Sequence, residues 1–327
     1  MTLYIFNPDT DYALAVGSRF YTPTKGVIEM RKSRALLPVC FASKDDAILL
    51  LDNFTEEELA NLSYYQEALE KKVKILTLEQ LEEYSENITK IVPWGWNQAL
   101  RFTLSTAGIN ERALLSEEKI DKIRELSHRR TCLPFRNRLK QLLPGINIKP
   151  SAELYSLKEL EEFLDRYNDI YIKFPWSSSG RGVMKSRGMR RELLFEWAAG
   201  SIRRQGSVIA EEAYDRNADF ASEWICKSGI AKFMGLSYFY TAEDGRYELN
   251  SIGSQEEIYN EIISAAPLFN MEIISAQKKI LEEMITPFYD GPVGIDMLSE
   301  KNGNINPCVE INLRLTMGHR AISLNSK

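Results

Sequence analysis

The sequence predicts a mixed fold, α/β at the start and α+β later, and two patterns support this prediction. From residue 1 to about residue 125, short apolar segments alternate with amphipathic ones, which is typical of strands and helices around a parallel sheet. From Val208 onward, the apolar segments are β-rich, and Asp244 with Gly245 forms a turn signal between two of them, which indicates antiparallel strands. Because 327 residues are many for one hydrophobic core, we expect two or three structural units.

The first layer is defined by its strand signals, one helix cap and two polar loops. The predicted strands are 3–6, 47–51, 73–76 and 90–93. Thr55 and Glu58 form a capping box, in which each side chain bonds the other residue's backbone N–H, and it predicts a helix through Lys71. Loops 7–12 and 93–97 follow predicted strands, where ligands of parallel sheets bind. Each loop therefore either contacts the substrate or has a purely structural role. The structural role would be a solvated turn for the first loop and a packed aromatic corner for the second.

Composition narrows the functional classes. The net charge of −5 disfavours nonspecific nucleic-acid binding. The sequence contains no run of 18 apolar residues, which is about the length that a membrane-spanning helix needs. Residues 1–7 lack the basic and apolar regions of a signal peptide, and the four cysteines form no C-x-x-C pair, so we expect a cytoplasmic protein with reduced thiols. With only His128 and His319 present, a His-rich zinc site or a Ser-His-Asp triad is unsupported.

A lysine-bearing strand and a small-residue loop occupy the middle of the chain. Lys173 ends the apolar segment 170–173, and the loop that follows contains Ser177, Ser178, Ser179, Gly180, Arg181 and Gly182. Small residues let backbone N–H groups approach phosphate oxygens, and the lysine adds a positive charge. The loop lacks the G-x-x-x-x-G-K-[ST] pattern of a Walker A motif. Arg181 is either a mobile phosphate clamp or a solvated loop charge.

A polar hairpin is predicted near the end of the chain. Asp296 lies in an apolar strand, an Asn-Gly turn follows, and Glu310, Asn312 and Arg314 then occupy alternate positions of the returning strand. Two carboxylates and an amide oxygen on one sheet face suit Mg²⁺, which takes oxygen ligands. Arg314 would add a fixed cation beside them. The alternative is an amphipathic edge strand with a solvated polar face.

The chain resembles the ATP-grasp superfamily in the order of five features. These are the lysine strand, the Ser/Gly loop, the acidic segment 208–215, the G-I-D segment at 294–296 and the E-x-N-x-R segment at 310–314. The resemblance extends from Ser127 to the C-terminus. It implies an ATP-grasp fold preceded by a small Rossmann-like α/β layer. The implied division is a substrate domain at 1–125, an ATP-grasp subdomain with the lysine strand at 126–205 and a C-terminal subdomain with the metal site at 206–327.

The resemblance also implies the site residues and cofactors. ATP would be bound with two Mg²⁺ ions, or Mn²⁺ in their place, on Asp296, Glu310 and Asn312. Lys173 and Arg314 would be catalytic, the backbone from Glu212 to Asp215 would read adenine, and Asp219 would accept the ribose hydroxyls. The implied nucleotide contacts are Arg129, Lys173, Ser177, Ser178, Ser179, Gly180, Arg181, Gly182, Glu212, Ala213, Tyr214, Asp215 and Asp219.

Two assignments stay open at this point. The upstream phosphate-binding cation would be Arg129, although Arg130 or Arg136 would also serve, and the basic residues equally suit the C-terminus of a helix predicted over 116–130. His319 is either a substrate-binding group or base, or a plain surface histidine.

The implied activity is a ligase that activates a carboxylate as an acyl phosphate for attack by an amine or another nucleophile. Two alternatives are a small-molecule kinase and an inactive nucleotide-binding module. We expect small-molecule carboxylate and amine substrates, no nucleic-acid or membrane partner, and leave a homodimer open. The sequence identifies neither the carboxylate nor the nucleophile.

Overall fold

The computed structural model describes residues 1–68, 72–177, 182–242 and 246–325. These residues divide into two compact units, of which the first comprises Met1–Arg124 and Arg314–Thr316. The second comprises Glu125–Leu313 and Met317–Asn325. The predicted turn at Asp244 and Gly245 lies outside the described residues.

The first unit is built on a parallel sheet. Its strands are β1 (Thr2–Ile5), β2 (Ala47–Leu49), β3 (Lys74–Leu76) and β4 (Lys90–Pro93). The strand order is β3-β2-β1-β4, and Leu3 of β1 lies opposite Ala47 on one side and Ile91 on the other. Leu3 and Leu104 are fully buried in the core that covers the sheet. The predicted small α/β layer with a parallel sheet is therefore confirmed.

Helices separate and follow these strands along the chain. They are α1 (Thr10–Val16), α2 (Lys25–Ser33), α3 (Glu56–Ala68), α4 (Leu81–Tyr84), α5 (Gln98–Thr106) and α6 (Glu117–Leu126). The predicted capping box starts α3, since Thr55 N donates to Glu58 Oε2 at 2.7 Å and Glu58 N donates to Thr55 Oγ1 at 3.2 Å. The predicted end of this helix at Lys71 lies outside the described residues.

The second unit begins with an antiparallel sheet and its helices. These elements are α7 (Cys132–Leu142), β5 (Ser151–Leu154), α8 (Leu157–Tyr167), β6 (Ile170–Lys173), β7 (Val183–Lys185), α9 (Arg191–Gln205) and β8 (Val208–Glu212). The strand order is β5-β8-β6-β7. Leu160 of α8 and Leu194 of α9 pack on the buried side chains of this sheet. Lys173 thus ends β6 on a sheet whose helices cover it with apolar residues.

A second antiparallel sheet follows in the same unit. Its elements are β9 (Arg216–Lys227), β10 (Ile230–Thr241), β11 (Tyr247–Asn250), α10 (Gln255–Ala265), α11 (Met271–Met284), β12 (Gly291–Glu300), β13 (Ile305–Asn312) and α12 (Met317–Asn325). The strand order is β11-β10-β9-β12-β13. The antiparallel strands predicted after Val208 and the closing hairpin are confirmed.

The helix predicted over 116–130 is wrong in its last four residues. Helix α6 ends at Leu126, and a 3-10 turn, Arg129–Thr131, leads into α7. His128 breaks the helix because its backbone is extended and its side chain accepts from Arg130 N. The basic residues therefore begin a new helix rather than end the old one.

Two further features concern compartment and chemistry. Among the described residues, no helix is long and apolar enough to cross a membrane. The cysteines are free thiols, and Cys132, Cys226 and Cys308 are buried.

Helix α12 contacts the second sheet through a glycine. A Cβ at Gly318 would overlap Glu223 Oε1 and lie 2.5 Å from Ser237 Oγ, and both of these side chains are buried. We predict that Gly318→Ala lowers the free energy of unfolding by about 1–3 kcal/mol, because the site has no room for a methyl group. Chemical denaturation measures this difference.

Gly26→Ala is the matched control for that substitution. Gly26 also lies in a helix, α2, but a Cβ there would have no atom within 4 Å. Its replacement should stabilise the protein by up to about 1 kcal/mol. Equal effects of the two substitutions would contradict the predicted overlap at Gly318.

Candidate functional site

Lys173 belongs to a buried ion network. Its Nζ lies 2.6 Å from Glu211 Oε2, and Arg136 Nη2 lies 2.7 Å from the other oxygen of the same carboxylate. Burial raises the pKa of Glu211, but the charges of Arg136 and Lys173 outweigh burial and bring it to about 2. The three side chains carry a net charge of +1, and each is at most 7% exposed. In the described part of the chain Lys173 has Glu211 as its one partner, so its other ammonium protons are available to an anion.

Arg136 extends this network to the second sheet. It donates from Nε to the carbonyl of Cys308 at 2.6 Å and from Nη2 to the carbonyl of Val309 at 3.1 Å. Its Nη1 also donates to Ser151 Oγ at 3.0 Å. Arg136 therefore connects α7, the sheet of β5–β8 and β13, with all three guanidinium nitrogens bonded to protein oxygens.

Arg129, the predicted phosphate-binding cation, is buried and links the lysine strand to the hairpin. Its Nη1 donates to the carbonyl of Phe174 and to Ser177 Oγ, both at 2.6 Å. Its Nη2 donates to Glu310 Oε1 at 2.8 Å and to the carbonyl of Ser177 at 3.2 Å. Arg130 is exposed. The structure thus gives Arg129 a place beside the predicted metal ligands, and its contact with a phosphate stays a prediction.

The hairpin brings the predicted metal ligands together. Asp296 of β12 lies directly opposite Glu310 of β13, so their side chains share a face. Asn312 Nδ2 donates to Asp296 Oδ2 at 3.1 Å. A β-bulge follows Asp296, where the register shifts before Leu298. Two carboxylates and one amide therefore meet on one sheet face, as the alternation of polar residues predicts.

These residues fit a magnesium ion. Among the described residues no group of three or more His, Cys, Asp or Glu side chains forms a metal cage. Mg²⁺ does not need one, because it binds one or two carboxylates together with water and phosphate oxygens. Glu310 gives one oxygen to Arg129, while its Oε2 has no partner in the described structure and can bind a cation. The metal assignment itself stays a prediction.

The predicted adenine-reading segment links β8 to β9. Ala213 N donates to the carbonyl of Asp169 at 2.9 Å, and the carbonyl of Ala213 accepts from Lys149 Nζ at 2.6 Å. Asp215 N donates to Glu300 Oε1 at 2.9 Å. Glu212, at the end of β8, is half-buried. The main chain of this segment is therefore largely held by the protein.

Asp219 lies on β9 beyond that segment. Its carboxylate accepts hydrogen bonds from Arg216 and from Thr241 Oγ1. Burial raises the pKa of Asp219, and the charge of Arg216 opposes that rise. Its predicted contact with ribose hydroxyls stays a prediction.

The ends of the Ser/Gly loop are closely packed. Phe174 N donates to the carbonyl of Gly182 at 2.7 Å, and a Cβ at Gly182 would overlap Ser177 Oγ. Gly182 is therefore required by this close approach. The other predicted residues of the loop lie outside the described residues; they are Ser178, Ser179, Gly180 and Arg181.

Arg314 does not continue the hairpin strand, because β13 ends at Asn312 and Arg314 belongs to the first unit. There its Nε donates to Asp11 Oδ2 at 2.9 Å. The prediction that Arg314 extends the polar face of the strand is wrong for this reason. Its catalytic role stays a prediction.

The two polar loops of the first unit are well ordered by their own contacts. Asp9 is 2% exposed and forms a bidentate pair with Arg31 at 2.6 and 3.0 Å, so this loop is not a solvated turn. Asn7 Nδ2 donates to the carbonyl of Gly95 at 2.7 Å, which joins the two loops. Trp94 is buried against Phe6 in an edge-to-face contact, as a packed aromatic corner requires.

His319 is buried, so its interpretation as a surface histidine is wrong. Its Nδ1 lies 2.9 Å from Glu223 Oε2, and its Nε2 lies 3.0 Å from the carbonyl of Trp224. Since a carbonyl only accepts, Nε2 carries a proton. Ser237 Oγ donates to the other oxygen of Glu223 at 3.0 Å. The histidine therefore fixes α12 to the second sheet.

The sequence did not single out Glu211, Lys149 and Glu300, which contact predicted site residues in the structure. Glu211 precedes the predicted contact Glu212 on β8, and strand alternation alone would have placed the two on opposite faces. Lys149 and Glu300 are about 150 positions apart in the sequence and carry no local signal. Only the packing of the two sheets brings them together.

Sequence comparisons and structural comparisons give different results. No family model matches the chain, and no curated protein sequence matches it. Solved structures do match, at low sequence identity. D-alanyl-alanine synthetase A from Vibrio cholerae is 12% identical with a TM-score of 0.55, and the match covers 100% of this chain and 94% of that one.

Two further solved structures match over nearly the whole chain. Biotin carboxylase from Campylobacter jejuni, in a β,γ-ATP complex, is 12% identical with a TM-score of 0.56, covering 98% of this chain and 67% of that one. N5-carboxyaminoimidazole synthetase from Staphylococcus aureus, in complex with ADP, is 11% identical with a TM-score of 0.53, covering 100% and 78%. All three are ATP-grasp enzymes. Together with the order of the two antiparallel sheets after a parallel layer, these matches show that the chain has the ATP-grasp fold.

Proposed function

We propose that the protein is an ATP- and Mg²⁺-dependent ligase, which activates a carboxylate as an acyl phosphate for attack by an amine or another nucleophile. The observation that carries the proposal is the pairing of Asp296 with Glu310 across β12 and β13, with the Asn312 amide bonded to Asp296. This set lies in the same unit as the buried Lys173. The structural matches to ATP-bound and ADP-bound enzymes support the same proposal.

Lys173 would bind phosphate oxygens of ATP. Glu211 fixes the position of its ammonium group, and the network of Glu211, Arg136 and Lys173 keeps a net positive charge. An uncompensated positive charge in a poorly hydrated place attracts a phosphate strongly. Ser177 and Gly182 flank the predicted phosphate-binding loop, and Gly182 approaches Ser177 closely.

Asp296, Glu310 and Asn312 would hold the magnesium. Bound there, Mg²⁺ supplies neutralisation of the charge that develops on the transferred phosphoryl group. Arg129 orients Glu310 through its hydrogen bond to Oε1 and leaves Oε2 for the metal. Each of these groups acts by position and charge, so no protein nucleophile is needed.

The substrates are a small carboxylate and a nucleophile whose identities require a screen. ADP release should be measured with Mg²⁺ over pairs of carboxylates and amines. A pair that is needed together for ADP release, with an amide product, supports the ligase. ADP release without the amine, together with a stable phosphorylated alcohol, would instead support a kinase. A cytoplasmic location is a further prediction, while a homodimer and Mn²⁺ in place of Mg²⁺ are left open.

We predict that Lys173→Ala and Glu310→Ala each lower ATP turnover by at least about 10²-fold, because each removes a charge that stabilises the transferred phosphoryl group. Steady-state ADP release measures the effect, and circular dichroism checks that the fold is intact. Lys185→Ala is the control, since Lys185 lies on the neighbouring strand β7 and is partly exposed, with its Nζ 3.9 Å from Asp169 and 5.5 Å from the centre of the Tyr171 ring. Normal turnover in both site variants would refute the assignment.

The stability of the protein should depend on pH through Glu211. The pKa of Glu211 falls from its ordinary value of 4.5 to about 2 in the folded protein. The carboxylate therefore stabilises the fold above pH 4.5, and this contribution is lost as the pH falls toward 2. We predict that Glu211→Gln lowers the free energy of unfolding by about 3–5 kcal/mol at neutral pH, because it breaks a buried ion network.

The difference between wild type and Glu211→Gln should shrink as the pH falls from 4.5 to 2. Denaturant unfolding across this range measures it. Glu283→Gln is the control, because it removes only an exposed pair with Arg138 and should leave stability nearly unchanged. A difference that stays constant with pH would show that Glu211 is not held ionised by its partners.

A further inference from the structure

An ion pair spans the two sheets of the second unit where the chain passes from β8 to β9. Lys149 lies just before β5 of the first sheet, and Glu300 is the last residue of β12 in the second sheet. Lys149 Nζ lies 2.8 Å from Glu300 Oε1. Glu300 is 3% exposed, and its other oxygen accepts from Asn304 Nδ2 at 2.8 Å. We call this pair the linker clasp.

The linker clasp holds the main chain of residues 213–215 from both sides. Lys149 Nζ donates to the carbonyl of Ala213 at 2.6 Å, and Glu300 Oε1 accepts from Asp215 N at 2.9 Å. The Tyr214 side chain is held as well, because its hydroxyl accepts from Lys149 N at 2.8 Å and its ring lies 4.8 Å from Lys149 Nζ. Every ammonium proton of Lys149 thus has an acceptor in the linker or in Glu300.

The hydrogen bonds leave a specific gap. Within the described structure, the N–H and carbonyl of Ala213 and of Asp215 all have protein partners. The backbone N–H and carbonyl of Tyr214, between them, have none. A donor and an acceptor on one residue match the N1 acceptor and the N6 amino donor of adenine. Guanine in the same orientation presents an N1 donor and an O6 acceptor, so each backbone group of Tyr214 would face a group of its own kind.

We propose that Lys149 and Glu300 are positioning residues for the nucleotide base: they occupy the main chain on either side of Tyr214 and leave its N–H and carbonyl as the pair that reads adenine. This inference rests on the proposed ATP-dependent function. Neither clasp residue touches the nucleotide. Each acts through the main chain of residues 213–215. Base selectivity is thereby set by an ion pair that joins the two sheets.

Charge supports the rigidity of the clasp. Burial raises the pKa of Glu300, but hydrogen bonds from Lys149, Asn304 and Asp215 N–H outweigh burial and lower it. The carboxylate is therefore ionised at neutral pH and holds its donors with charge-assisted bonds, which are stronger than neutral ones. Without Lys149, the carbonyl of Ala213 would become a second free acceptor in residues 213–215. The main chain would then select adenine less sharply.

The test compares nucleotide binding by full-length Lys149→Met, Glu300→Gln and Lys149→Arg with that of wild type. We expect the Kd for ATP to rise at least about ten-fold in Lys149→Met and Glu300→Gln, and the preference for ATP over GTP to fall by a similar factor. In turnover assays KM for ATP should rise while kcat changes by less than about three-fold, because uniform binding and not transition-state binding is lost. Lys149→Arg keeps the charge and should recover most of the selectivity.

A matched control and a local readout separate this role from a merely structural one. Lys278→Met removes a 2.7 Å ion pair with Glu282 on α11 of the same unit and should change neither Kd nor selectivity. Hydrogen exchange should show faster exchange of the Asp215 amide in Glu300→Gln. Lower stability with an unchanged ratio of ATP to GTP affinity would overturn the proposal.

Wild-type protein provides the test if a clasp variant fails to fold. Saturating ATP should protect the Tyr214 amide from hydrogen exchange, and GTP at the same concentration should protect it less. ATP binding without this protection overturns the role of the clasp and leaves the ligase proposal intact. A wild-type protein that binds no nucleotide overturns both.

Discussion

The buried carboxylate of Glu211 is the interaction on which the rest of the second unit depends. It lies between Arg136 and Lys173, and through Arg136 it reaches the carbonyls of Cys308 and Val309 on the hairpin. A single ionised group therefore connects α7, the sheet of β5–β8 and β13. Such a group is costly to bury alone, so its two cations are a requirement of the fold and not an addition to it.

A second chain of polar contacts runs parallel to this network. Arg129 connects Phe174 and Ser177, at the end of the lysine strand, to Glu310 on the hairpin. The two arginines thus brace one strand carrying a lysine against another strand carrying carboxylates. Opposite charges of this kind, held apart by structure, are suited to an anionic ligand whose charge is shared with a cation.

How far the sequence predicts this arrangement depends on whether a signal is local. The hairpin was predictable because alternation and an Asn-Gly turn act over a few residues, and Asp296 does face Glu310. The end of α6 was not, because a single capping histidine, His128, outweighs the helical pattern beyond it. The burial of His319 was equally invisible, since its partners Glu223 and Trp224 are nearly 100 positions away in the chain.

The same distinction explains the candidate site. Lys173 and the predicted metal ligands stand out by residue type and spacing. Their partners Glu211, Arg136 and Arg129 are brought to them by long-range packing. Glu211 and Glu212 look alike in the sequence, and only the position of α7 decides which of them is buried with an arginine. Arg314 shows the reverse case, because a regular spacing continued in the sequence where the strand itself had ended.

We propose that the hairpin carboxylates hold a metal bound to the nucleotide that Lys173 contacts. The most direct measurement is anomalous X-ray scattering from crystals grown with Mn²⁺ and a non-hydrolysable ATP analogue. We expect an anomalous peak at coordination distance from oxygens of Asp296 and Glu310, with phosphate oxygens next to Lys173 Nζ. An analogue bound elsewhere, or a metal peak away from the hairpin, would contradict it.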